Sequence, residues 1–588
     1  LGAAPVPDPL AEFAADARRL IDAATAAMGS PTPLVLETPA GGQADLAAAC
    51  FPLAKTLRKP PPALAEEVAA HARPLVPPGS LVSRIEAQAG YVNFYVDPAR
   101  LAARVLPAVF EAGDAYGSLP STGKRLILEH TSANPNGPLH VGRARNPIIG
   151  DTLVRIMRRA GWNVEAQYYL DDIGKQVAIL AWGLRHLKES DLPPAEREKI
   201  DHRLVRYYQA ATQLKDTNPA AAAAIQDLMV RSEEAESAVM AEFEAAYRPI
   251  LDGMLESLAA IGVRFDSFKK ESDFITNGET DGVIERLQKT PFSKTEDDGA
   301  LFLDLSSHGI AGKSQRFVYR RRDGTSLYAT RDVAYHRWKA GRTDRLINVL
   351  GEDHKLQAKQ VRICLELLEC PVLPEIVFYA FVSLPAGKMS TRRGNVVFLD
   401  DLIDEAVERA LEEVKKRRGD ELDEAHLARI ARAVGVGALR YNIVRVQPEK
   451  GIQFKWEEAL NFDGSSAPFL QYSYARCASL LRKAGAGTLD VSHPASALLQ
   501  HSSELELLHQ VARLPRVVDE AARRAAPHAL ASYAQELASA LSDFYRDCPV
   551  LTAESPDLKR ARLQVVEATR ITLRSTLDLL GIPILEEM

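Results

Sequence analysis

The sequence predicts a multidomain α/β protein. A central open parallel sheet carries helices on its faces, an α+β module precedes it, and an all-α bundle follows. Three observations predict this. The chain has 588 residues, too many for one core and suited to three or four domains. Between residues 125 and 170, apolar runs alternate with a helical period, the pattern of a βαβ unit. After residue 400 the helical period runs almost unbroken, with proline only near element ends.

The N-terminal module is placed at residues 1–115. Its "DPLAEFAADARRLIDAATAAM" reads as an amphipathic helix opened by Asp-Pro. Its "SRIEAQAGYVNFYVDPARL" reads as strand, glycine turn, strand, then a helix begun at Asp97-Pro98. The central domain is placed at 116–420 and reads as Rossmann-like. "RLILEHTS" is a short apolar run suited to a buried parallel strand. "IIGDTLVRIMRRAG" repeats apolar residues at 149, 153, 156 and 157 and is closed by Gly161, and "NVEAQYYL" is the next strand.

A helical insertion is expected from about 177 to 295, where the chain is rich in Ala and Glu. Strand-like runs return in "ALFLDL", "RFVYRRR", "RLINVLG" and "EIVFYAFVSL". Residues 421–588 form the expected helical domain.

Composition narrows the function classes. With 46% hydrophobic and 26% charged residues the chain is an ordinary soluble type. A net charge of -6 excludes wholesale polyanion binding, so any nucleic-acid contact needs a local basic face. Five widely spaced cysteines without C-x-x-C argue against a disulfide framework and against a protein-bound zinc. No apolar run spans a membrane. A cytoplasmic monomer is the resulting expectation.

Two loops carry the chemistry. "HTSANPNGPLHVGRARN", residues 130–146, follows a buried strand and precedes a helix. Its Gly, Asn and Pro residues let backbone N–H groups approach phosphates, and the helix adds its positive end. His140 supplies a donor there, and Arg143 and Arg145 supply fixed charge. A plain strand-to-helix turn with a surface histidine is the bland alternative. "GKMSTRRGN", residues 387–395, sets Lys388, Arg392 and Arg393 after a strand, where a polyphosphate needs neutralising. "GIAGKS" misses the phosphate-loop motif because position 307 is Ser. "GVGALR" lacks the third glycine of a dinucleotide fingerprint.

Together, "HVGR" and "KMSTR" resemble the paired His-Ile-Gly-His and Lys-Met-Ser-Lys-Ser signatures of class I aminoacyl-tRNA synthetases. The second His is Arg143 here and the second Lys is Thr391. A helix starting directly after His140 would place Pro147 beyond its first turn, so the helix starts later or kinks.

The segments "LEHTSANPNGPLHVGRARNPIIGD", "GVRFDSFKKES", "SLYATRDVAYH", "FLQYSYARCASLLRK" and "LLGIPILEEM" resemble the arginyl branch, in an archaeal-like HVGR variant. "GALR" at 437–440 resembles the start of its anticodon-binding domain, and "GYVNF" its N-terminal module.

The resemblance implies an arginine–tRNA ligase using L-arginine, ATP with magnesium, and tRNA(Arg). It implies His140, Lys388 and Arg143 in catalysis, and Pro138, His140, Gly142, Arg143, Lys388, Met389 and Ser390 around ATP. Glu129, Tyr328 and Asp332 would grip the guanidinium, Asn134 and the backbone near Ser132 the α-amino group. His354, in "GEDHKLQ", stands where the family uses a glutamine. Asn93, Tyr472, Tyr474, Arg476 and Met588 would touch tRNA. Core packing is the alternative for at least one of those tyrosines. Rival readings are another class I synthetase, a small nucleotidyltransferase, or a non-catalytic tRNA-binding relative.

Overall fold

The computed structural model describes residues 8–30, 32–39, 44–310, 312–322, 324–383, 397–418, 421–485, 489–491 and 493–588. Its centre is a five-stranded sheet of β1 (Arg125–Glu129), β2 (Asn163–Leu170), β3 (Ser267–Lys270), β4 (Arg345–Gly351) and β5 (Glu375–Tyr379). The order is β5-β4-β1-β2-β3 and every pair is parallel. β1 is buried from Leu126 to Glu129, as its continuous apolar run requires in a sheet covered on both faces. From β1 the chain builds outward in one direction through β2 and β3, then in the other through β4 and β5. That reversal opens a crevice beyond the carboxyl ends of β1 and β4, where such sheets bind ligands.

Helix α1 (Arg145–Arg159) joins β1 to β2. Helix α2 (Tyr328–Ala340) leads into β4, and α3 (Lys355–Leu367) joins β4 to β5. A 3-10 turn at Val141–Arg143 precedes α1, so the helix starts late and Pro147 falls in its first turn, where no N–H partner is required.

Helices Lys175–His186, Ile200–Thr217, Pro219–Glu233 and Ser237–Ala260 form the insertion. The expected helical stretch to 295 is interrupted. Ser267–Lys270 returns to the central sheet and pairs with Gln167–Leu170. Its polar "SFKK" suits an outer strand, which carries less apolar signal than a central one. "ALFLDL" and "RFVYRRR" give Leu301–Asp304 and Arg316–Arg320. With Ser293–Thr295 they form a separate three-stranded antiparallel sheet.

The N-terminal module pairs Val82–Gln88 with Tyr91–Val96 around Gly90, in a four-stranded antiparallel sheet. Asp97 caps the next helix by accepting the Arg100 N–H at 3.1 Å.

Among the described residues from 399 onward the chain is helical but for the connections and the strand Ile452–Gln453, which pairs with Val382–Ser383. Its Glu424–Val444 helix carries Arg440, which is fully buried. That guanidinium donates to Asp151 of α1 (2.6 Å), to the carbonyl of Ile261 (2.8 Å) and to that of Leu580 (2.8 Å). One side chain thus fastens the helical region to α1 and to the end of the insertion. Among the described residues no helix is long and apolar enough to cross a membrane.

Candidate active site

The loop after β1 turns sharply. Thr131 and Ser132 have φ of +71° and +42°, a left-handed backbone that costs non-glycine residues roughly 1–3 kcal/mol each. Side chains hold it. Asn146 accepts the Thr131 N–H (2.8 Å) and donates to the Val349 carbonyl (3.0 Å), stapling the loop to β4. Ser132 Oγ donates to Glu129 (3.1 Å) and accepts the Tyr169 N–H (3.1 Å). Tyr168 Oη donates to the Ala133 carbonyl (2.6 Å).

Further along, His140 is exposed and Pro138 buried. His140 Nδ1 accepts the Gly142 N–H at 3.0 Å. In the neutral ring the proton then sits on Nε2, a donor suited to phosphate. Desolvation, and then the Arg143 charge, lower the imidazole pKa and favour that neutral form. Arg143 is exposed.

Arg145 corrects an expectation. It is fully buried, and its guanidinium is spent on the carbonyls of Ala380 (2.7 Å), Lys450 (2.6 Å) and Gln447 (2.8 Å). It ties α1 to the end of β5 and to the 446–450 segment, and its burial keeps its charge away from the loop surface where a phosphate would sit.

The backbones of His140 and Phe398 form an antiparallel bridge. Val141 N–H donates to the Val397 carbonyl (2.9 Å) and Leu399 N–H to the Leu139 carbonyl (2.7 Å). Lys388, Met389, Ser390, Arg392 and Arg393 lie outside the described residues. The bridge joins the first loop to the segment that immediately follows the second.

Beyond β1 and β4 lies a cavity of about 300 Å³. Its lining includes Glu129, Ser132, Asn134, Tyr328, Asp332 and His354, so the structure brings all six expected arginine-pocket residues together. Tyr328 and Asp332 stand one turn apart at the start of α2. Tyr328 is 59% exposed at the rim.

Burial pushes the Asp332 carboxyl up, but His336 (3.0 Å), the Lys339 charge and Gln357 (3.1 Å) outweigh it and hold the pKa below normal. It is a carboxylate at neutral pH. Glu129 already has a partner inside the protein. Its second oxygen meets the fully buried Lys339 at 2.6 Å, so its charge is already matched within the protein. Asn134 donates to Gln176 at 2.8 Å, which fixes the amide with its carbonyl oxygen available as acceptor.

Sequence reasoning missed Tyr169, Asp171, Glu271, His336, Asn348 and Gln357, which also line the cavity. Asp171 and Glu271 directly follow the ends of β2 and β3, the positions the crevice rule singles out. Gln357 is the glutamine that contacts Asp332. It lies three residues past His354, which stays at the rim with its side chain 47% exposed.

Three family models match the chain in succession. "Arginyl tRNA synthetase N terminal domain" matches residues 15–96. "tRNA synthetases class I (R), catalytic domain" matches 106–456, more than half of the chain. "DALR anticodon binding domain" matches 470–588.

The chain belongs to the arginyl-tRNA synthetase family. It is a class I aminoacyl-tRNA synthetase with a Rossmann-like catalytic domain. It is 46% identical over 538 residues to the arginine–tRNA ligase of Methanocella arvoryzae, covering 92% of each chain. It is 43% identical over 512 residues to that of Haloarcula marismortui, covering 85% of this chain and 86% of that one. The Thermus thermophilus arginyl-tRNA synthetase superposes with a TM-score of 0.81 at 29% identity, over 98% of this chain and 100% of that one. The Plasmodium falciparum arginyl-tRNA synthetase, at 14% identity, shares the fold with a TM-score of 0.80, covering both chains fully.

In this synthetase the expected tRNA-contact residues divide by exposure. Tyr472 is 40% exposed, and the Arg476 guanidinium lies 4.7 Å from its ring centroid and 4.6 Å from that of Tyr545. With Met588 these three line one cavity of about 590 Å³. Tyr474 is fully buried and bonded to Glu586 (2.8 Å) and Arg570 (3.0 Å), so it packs the helical core. Asn93 is 5% exposed in the module's sheet, which leaves its side chain little surface for a direct contact.

Proposed function

We propose that the cavity beyond β1 and β4 binds L-arginine and that the His140 loop holds ATP beside it. The observation that carries this reading is the shared cavity of Asp332, Tyr328, Glu129 and Asn134. A guanidinium is planar, permanently charged and rich in donors, and a buried carboxylate answers it geometrically.

In the first step the arginine carboxylate attacks the α-phosphorus of ATP. A P–O bond forms, the bond to the β-phosphate oxygen breaks, and pyrophosphate leaves. A carboxylate needs no deprotonation, so catalysis is positioning and charge neutralisation. His140 Nε2–H and Arg143 serve the phosphates on one side, and Lys388 with Met389 and Ser390 completes the site. In the second step a terminal ribose hydroxyl of tRNA(Arg) takes the acyl group, AMP leaves, and the hydroxyl proton is lost.

Magnesium travels with ATP. One group of possible metal-ligating side chains occurs among the described residues, Asp201, His202 and Asp400. Lys199 Nζ already fills it, bonded to Asp201 (3.3 Å) and Asp400 (3.0 Å). That cluster does not fit the ion, which is better served by phosphate and water. The helical region reads the anticodon through Tyr472, Arg476 and Met588, and the N-terminal module touches another part of the tRNA. A cytoplasmic monomer is the proposed form.

Amino-acid-dependent pyrophosphate exchange, run for each standard amino acid with and without tRNA(Arg), tests the reading. Arginine alone should support exchange; exchange with another amino acid instead would overturn it.

A further inference from the structure

Four carboxylates line the arginine cavity: Glu129, Asp171, Glu271 and Asp332. Two are matched within the protein. Glu129 pairs with Lys339 at 2.6 Å, and Glu271 pairs with Arg331. Asp332 meets His336 and Gln357. Asp171 is the exception. It shares a hydrogen bond with another acid, Glu271, and Asp172 lies nearby. Burial, and then the Glu271 charge, hold its carboxyl well above the usual range, and Arg331 offsets this only in part. One of the two acids must carry a proton for that bond to exist.

The adjoining Tyr169 is also incomplete. Its ring stacks on Tyr335 with centroids 4.2 Å apart. Its hydroxyl is shut off from solvent and meets no hydrogen-bond partner among the described residues. Asp171 and the Tyr169 side chain thus border the same cavity, with the acid Glu271 close to both and the nearby cation, Arg331, already paired to Glu271.

We propose that Asp171 is a specificity-determining ligand of the arginine guanidinium and completes the grip begun by Asp332. This rests on the cavity being the arginine site. A guanidinium presents five N–H donors in a rigid fork, more than Asp332 alone can accept. Inserted beside Asp171 and Glu271, it replaces the shared proton as the bridging positive group. Lysine's ammonium is a single point and cannot span these acceptors. Citrulline keeps the shape but offers no charge to Asp171.

The test compares wild-type protein with Asp171→Asn by equilibrium binding of arginine and of citrulline, alongside steady-state kinetics. Asp171→Asn keeps the side-chain shape and removes the charge. Arginine affinity is expected to fall at least tenfold, citrulline affinity to hold within twofold, and the KM for ATP to stay unchanged. A purely structural role would weaken both ligands together. An arginine-to-citrulline ratio equal to that of wild type overturns the proposal for Asp171. If wild-type protein itself fails to prefer arginine, the reading of the cavity fails instead. Should Asp171→Asn not fold, Asp171→Ser gives the same ratio measurement, with the same outcome required.

Discussion

His140 and Phe398 face each other across a backbone bridge. The first lies in the loop after β1 and the second opens the C-terminal helical region. Two hydrogen bonds flank them, from Val141 to Val397 and from Leu399 to Leu139. The geometry around His140 is therefore set by backbone pairing as much as by its own loop. Replacing His140 by Ala removes the imidazole without touching that pairing. Turnover in pyrophosphate exchange should fall roughly 10²–10³-fold, the usual loss of one well-placed donor to developing charge. Because the side chain is exposed, the melting temperature should barely move. Unchanged turnover would remove His140 from the phosphate site.

Asp332→Asn should raise the arginine KM at least tenfold and leave the ATP KM alone. The substitution keeps the contact with Gln357 but removes the charge that His336 and Lys339 help to maintain. An ATP KM that rises in parallel would place Asp332 outside the arginine pocket.

The pH dependence of stability should carry the mark of His130. This ring is fully buried and lies against Phe265 at 4.6 Å. Burial lowers its pKa to about 4, while in the unfolded chain it titrates near ~6.5. Below ~6.5 the unfolded state binds a proton that the folded state refuses. Stability is thus whole above that pH and lost as pH falls, by about 3 kcal/mol on reaching pH ~4. Denaturant titrations of wild type and His130→Leu across this window should differ in slope, with the variant flatter.

Gly581→Ala should destabilise the protein by about 2–4 kcal/mol. Gly581 ends the last helix at φ +66°, and a Cβ there would overlap the Arg440 guanidinium. The left-handed backbone alone costs an alanine about 1–2 kcal/mol. The remainder comes from displacing Arg440 from Asp151, its buried partner. A chemical melt showing only the smaller loss would mean that Arg440 has room to shift.

Tyr472→Ala should weaken tRNA binding about tenfold without affecting arginine or ATP. Arg476→Ala should in addition shallow the dependence of log affinity on log salt by about one unit, as expected for one lost phosphate contact. Tyr474→Ala should instead lower the melting temperature, because that side chain is buried between Glu586 and Arg570.

Much of the fold was legible because its central strands are apolar runs bounded by turn residues. "NVEAQYYL" is a strand from end to end, "RLILEHTS" is one as far as Glu129, and the hairpin around Gly90 follows its own turn chemistry. β3 was hidden, because an outer strand reading "SFKK" lacks an apolar period. Six residues of the cavity were legible through resemblance, since they cluster in three quoted segments. Asp171, Glu271 and Gln357 were not, because each is brought to the cavity by strand order or by a helical turn. Arg145 misled because a guanidinium near a phosphate loop looks the same in sequence whether it faces solvent or buried carbonyls. Local sequence carries no sign of Ala380 and Lys450 converging on it.

The pairing of Glu129 with Lys339 has a bearing on how this chain is made. A ribosome delivers the glutamate 210 residues before the lysine. Until then the middle strand of the nascent sheet would bury an anion with no counter-charge. The unfinished chain has reason to keep that strand hydrated and the sheet open. Burying Glu129 with its charge matched therefore requires α2, and the cavity beside it also needs Asn348 and Gln357, which the chain supplies later still.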